Sequence, residues 1–95
     1  MDNSIEISGR YARNLVTSAS IADTGIIEKG SYRVVATVDT AIAVDRQTPS
    51  PALSVTNGFP LIANTPVDGL RVGEGQAIYA IAGGAGSLKY IRTGN

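Results

Sequence analysis

The chain has no cysteine, no histidine and no tryptophan. Without cysteine there is no disulfide, no thiolate nucleophile and no thiolate metal site. Without histidine there is no Ser-His-Asp triad and no imidazole base or ligand. Without tryptophan, a stacking platform for sugars or bases is poorly supplied. Net charge is absent too, since eight Lys and Arg balance eight Asp and Glu. The bases Arg10, Arg13, Lys29, Arg33, Arg46, Arg71, Lys89 and Arg92 are scattered, and no basic run tracks phosphates, so no nucleic-acid partner is expected. No stretch approaches the roughly 18 apolar residues of a membrane span, so no membrane partner is expected. Met1-Asp2-Asn3-Ser4 is polar and leads into no long apolar run, unlike a secretory signal. The expectation is a protein made in a cytoplasm and used as it stands. It is not expected to be an enzyme, to use a cofactor or to bind a metal.

What is present is β-grammar. Val, Ile and Thr are frequent, and 11 Gly and 4 Pro punctuate 95 residues. The fold class expected is all-β: a small antiparallel β-sandwich or barrel of short strands. One domain is expected, with residues 1–24 as an N-terminal strand or docking arm and 25–95 as the β-sandwich. Ile5-Glu6-Ile7-Ser8 alternates apolar and polar residues. Tyr11 to Ala22 reads as strand or irregular structure, although Ala12, Leu15 and Ala19 also fit a helical turn.

Ser31 to Val38 is the clearest strand, with Tyr32, Val34, Ala36 and Val38 on one face. Ala41 to Val44 follows a turn at Asp39-Thr40, and the pair reads as a β-hairpin. Ala77 to Ala82 and Leu88 to Thr93 flank Gly83-Gly84-Ala85-Gly86-Ser87 and read as a second hairpin. Ile27-Glu28-Lys29-Gly30 before the first resembles Val72-Gly73-Glu74-Gly75 before the second. This reads as recurring turn grammar rather than a repeat, because the strand residues do not align. Asp45 to Pro60 reads as a long polar loop, with one short strand at Ala52 to Val55 as the alternative.

The carboxylates lie mostly in or beside turns, where they are solvated. Asp39 and Asp45 flank one hairpin, and an oxygen-ligand cation site is conceivable there, although nothing resembles a calcium loop. Gly73-Glu74-Gly75 and Gly83-Gly84-Ala85-Gly86 each lead into a strand, whereas a phosphate cradle needs a following helix.

Tyr79 lies in Ala77-Ile78-Tyr79-Ala80-Ile81-Ala82, which is apolar on both faces. A strand with one face in water shows a polar face. This one is therefore either central inside the domain or covered by another subunit. Ile5 and Ile7 pose the same question, as an added edge strand or an arm docked on a partner. The candidate interface residues are Ile5, Ile7, Tyr11, Tyr79 and Ile81.

Gly30-Ser31-Tyr32-Arg33-Val34-Val35-Ala36-Thr37-Val38-Asp39 resembles a G-x-Y-R-hydrophobic-x-A-T strand. Phe59-Pro60-Leu61-Ile62-Ala63-Asn64-Thr65-Pro66-Val67, followed by Leu70-Arg71-Val72-Gly73-Glu74-Gly75, resembles a P-L-x-A-N-x-P and R-V-x-x-G pattern. Both are similar to small β-sandwich virion proteins of tailed bacteriophages, of the capsid decoration or cement type. The resemblance spans about residues 25 to 93. It implies a virion location and repeated copies in a cyclic homo-oligomer, a trimer by preference. It also implies that the partner is the major capsid protein or another virion protein. The alternative is a receptor- or carbohydrate-binding module of a tail or head fibre, using Tyr79, Phe59 and the loop Asp45 to Gly58.

Overall fold

A computed structural model describes residues 12–46 and 52–94. The described residues form eight strands and no helix. In the first half these are β1 (Arg13–Thr17), β2 (Ala22–Asp23), β3 (Gly30–Ala36) and β4 (Thr40–Arg46). In the second half they are β5 (Phe59–Leu61), β6 (Val67–Val72), β7 (Gln76–Ala82) and β8 (Gly86–Gly94). Two four-stranded antiparallel sheets result, ordered β1-β8-β3-β6 and β2-β7-β4-β5. They pack face to face as a β-sandwich. Within residues 1–24, set apart above as an N-terminal strand or docking arm, β1 and β2 are edge strands of the two sheets. Ile5, Ile7 and Tyr11 lie outside the described residues.

Period two builds the core. Along β3, Tyr32, Val34 and Ala36 are buried, and the residues between them are half-buried. The inward set of Tyr32, Val34, Ile42, Ile78, Leu88 and Tyr90 belongs to one contiguous cluster. Burying each of the larger side chains contributes about 1.5–3 kcal/mol before conformational entropy is subtracted.

The two expected hairpins are not hairpins. β3 and β4 lie in different sheets, and so do β7 and β8. Each pair is an arch that crosses the sandwich, so its inward residues face each other instead of sharing a ladder. The arches lie side by side: β3 pairs with β8, and β4 with β7. Hydrogen bonds from Thr37 N–H to the Ser87 carbonyl (2.9 Å) and from Ser87 N–H to Thr37 Oγ1 (3.0 Å) tie their crossings together.

The connectivity has a twofold plan. Exchanging β1–β4 for β5–β8 turns one sheet order into the other read backwards. Strand starts at 13, 30 and 40 recur at 59, 76 and 86, an offset of 46 residues, and 22 recurs at 67, an offset of 45. Among the described residues every strand pair joins one half to the other, and no ladder closes within a half. The register follows the plan with one slip. Val34 pairs with Tyr90, while Ala80 pairs with Ile42 rather than Val44. A slip of two keeps every inward residue inward, because side chains alternate with period two.

β7 is central in its sheet, between β2 and β4. Its inner face supplies Ile78 and Ala80 to the main core. Its outer face is covered by the chain itself, because Leu53 from the β4–β5 connection packs on Ala77 and Tyr79. Tyr79 is 2% exposed, and its hydroxyl donates to the Arg46 carbonyl at 3.1 Å.

Candidate functional site

The β5 edge presents an apolar surface that its sequence shapes closely. Leu61 points into the core, so the next residue, Ile62, points out and is 60% exposed. A tight turn places Val55 nearby. Asn57 Oδ1 accepts from Ser54 N–H at 2.7 Å, and Asn57 Nδ2 donates to the Ala52 carbonyl at 2.8 Å. Gly58 closes this turn against the sheet. A Cβ there would stand 2.6 Å from Leu53 Cδ1 and 2.8 Å from Ala41 Cβ. The turn holds Val55 at 58% exposure.

Between these parts lies an open concavity of about 300 Å³, lined by Val55, Pro60, Leu61, Ile62, Ala41 and Asp39 among others. Asp39 Oδ1 accepts from Ala63 N–H at 2.8 Å, and Asn64 N–H donates to the Ala36 carbonyl at 2.7 Å. These bonds fasten the chain leaving β5 to the β3–β4 arch. Asn64 sits at φ 60°, a left-handed conformation that Asn tolerates better than most residues.

The opposite edge carries the equivalent feature. On β1, Leu15 packs on the core while Val16 points out and is 71% exposed. Val16 and Ile62 are 46 residues apart and hold the same place in the twofold plan. Ile21 and Ile26, flanking β2, are 43% and 62% exposed. Phe59, at the start of β5, is 55% exposed.

Near β1 a polar cluster closes one end of the sandwich. Arg13 donates to Glu28 Oε1 at 2.7 Å and lies 5.2 Å from the centre of the Tyr90 ring. The Tyr32 hydroxyl donates to the Glu28 carbonyl at 2.6 Å, and the Tyr32 and Tyr90 rings are 6.4 Å apart. The hydrogen bond from Arg13 holds the Glu28 carboxyl at about 2, well below the usual carboxylate range. The same bond raises the Arg13 pKa. On the outer surface, Arg33 grips Asp68 with two bonds of 2.6 and 2.8 Å across β3 and β6, where the β3–β6 register shifts between Tyr32 and Val34.

Of the interface residues expected above, Tyr79 is buried in its own chain, and Ile81 is half-buried beside it on the outer face of β7. Asp39 and Asp45 are separated by the length of β4 and do not come together. Among the described residues no group of three or more acidic side chains is placed to hold a metal ion. No described helix is long and apolar enough to cross a membrane.

Sequence reasoning passed over Val16, Val55 and Ile62 because single exposed aliphatic residues are ordinary. The signal was Leu15-Val16 recurring as Leu61-Ile62, an inward leucine followed by an outward β-branched residue at the repeat offset.

No protein-family model matches the chain, and comparison with curated proteins and with solved structures finds no match.

Proposed function

We propose that this chain is a non-enzymatic virion structural protein. In this reading it is a capsid decoration or cement protein of a tailed bacteriophage, binding capsid subunits as a cyclic homo-oligomer, a trimer by preference. The observation that carries the reading is the pair of apolar edges. Val16, Ile21 and Ile26 on one side and Val55, Phe59 and Ile62 on the other are 43–71% exposed. A small domain that leaves such groups in water gains stability when neighbours cover them. The resemblance of the β3 strand and of Phe59 to Gly75 to phage virion proteins supplies the setting. Ile5, Ile7 and Tyr11 remain the proposed contacts of the N-terminal segment with that partner, and Ile81 adds an apolar side chain on the face between the edges.

The test is binding to phage capsids stripped of their decoration. Saturable binding with raised resistance of the capsid to heat supports the reading, and no saturable binding rejects it. The carbohydrate-binding alternative loses one of its aromatics, since Tyr79 is enclosed, and rests on Phe59. A glycan array that gives a signal lost in Phe59→Ala would favour it.

A further inference from the structure

The two edges are equivalent in fold and carry opposite charges beside Val16 and Ile62, Lys89 at one and Asp39 at the other, and that difference selects how copies meet. Beside Val16, on the same outer face, β8 carries Lys89. Asn14 pairs with Lys89 and Val16 with Ser87, so Val16 and Lys89 are diagonal neighbours across the ladder. At the other edge Asp39 lines the concavity with Ile62. Among the described residues neither Lys89 nor Asp39 has an ion-pair partner. One edge therefore offers an outward aliphatic side chain with a free cation. The other offers an apolar hollow with a carboxylate at its rim.

We propose that the β1 edge of one copy docks on the β5 edge of the next, with Val16 in the hollow formed by Val55, Pro60 and Ile62 and Lys89 facing Asp39. Contact of like edges would set lysine against lysine or carboxylate against carboxylate, which disfavours symmetric pairing. Contact of unlike edges is head-to-tail, and a head-to-tail contact generates a ring when its rotation closes. Each copy then uses both edges, and no apolar edge is left open. This inference rests on the self-assembly proposed above and names the surfaces that perform it.

The test uses the full chain and two exposed substitutions, Val16→Asp and Ile62→Asp, with far-UV circular dichroism to verify folding and light scattering to measure mass against concentration. Each variant alone is expected to raise its association midpoint about tenfold or more. Mixing the two restores pairs and nothing larger, because one intact β1 edge meets one intact β5 edge. Lys89→Glu is expected to weaken assembly, and Lys89→Arg, which keeps the charge, is expected to leave it intact. A wild-type oligomer unaffected by both aspartate substitutions, or broken by only one of them, overturns the head-to-tail contact and leaves self-assembly standing. A wild-type chain that stays monomeric at every concentration overturns both.

Discussion

The two halves of the chain share a strand plan and differ at their edges. Inward positions correspond: Leu15 with Leu61, Val34 with Ala80, Ala36 with Ala82, Ile42 with Leu88. Apart from Val16 and Ile62, outward and edge positions do not. Arg13 in the first half is tied to Glu28 and lies over Tyr90, while its counterpart in the second half is the exposed Phe59. Thr17, fully buried, has Ala63 as its counterpart. Thr17 aside, the shared core constrains inward residues to apolar types that fill the same layer. Edges answer to whatever lies outside, and their divergence gives one domain two different contact surfaces.

The comparison can be broken most severely by separating the halves. Because every ladder among the described residues crosses between them, peptides spanning 1–49 and 50–95 should each lack strand signal in circular dichroism and gain it on mixing. All of the domain's stability, about 5–15 kcal/mol for a typical domain, depends on that crossing. A half that folds as a monomer would disprove the interlocked plan.

A sharper version uses equivalent core positions. Tyr32→Ala should cost about 3–5 kcal/mol and Ile78→Ala about 2–5 kcal/mol, read as lower denaturant midpoints at unchanged slope. A near-neutral result at either site would mean that the halves do not share one core. Gly86 tests the arch crossing: a side chain there meets Val38 Cγ2 at 2.6 Å and Thr37 Oγ1 at 3.1 Å. Gly86→Val should cost about 1–3 kcal/mol through overpacking.

Thr17 reverses the sign. Its Oγ1 is buried without a hydrogen-bond partner among the described residues. Thr17→Val removes the unmet hydroxyl at constant shape, as Ala63 already does in the other half, and should stabilise by about 1 kcal/mol. A loss of stability would reveal a partner for that hydroxyl. The smallest effect belongs to Glu28. Its pKa is lowered in the folded state, so its contribution is present above the ordinary carboxylate range and fades as pH falls toward about 2. Because the pair is largely exposed, that contribution is about 0–1 kcal/mol. Thermal melts of the wild type and Glu28→Gln should differ at neutral pH and converge in acid.

The all-β class was legible because β3 alternates cleanly and glycine marks the turns. Strand pairing was not, because a short connection between two period-two segments looks the same whether the chain folds back in one sheet or crosses to the other. What decides between them is the partner strand: β3 finds β8 and β4 finds β7, far along the chain. The two-sided apolar character of Ala77 to Ala82 was visible, and so was its need for cover. The cover, Leu53, comes from a stretch that its prolines made read as loop. The likeness of the segments preceding β3 and β7 was also visible. The twofold strand plan did not follow from it, because that likeness is offset by 45 residues and the strand starts of β3 and β7 by 46, and Tyr32 against Ile78 looks unlike until the shared core shows both in one layer.

The most direct measurement is the mass of the wild-type chain in solution by light scattering over a wide concentration range. A molecule that covers two unlike edges with copies of itself should show a multiple of one chain's mass, falling to that of a single chain on dilution and held less firmly as salt screens Asp39 and Lys89. One chain's mass at every concentration would contradict it.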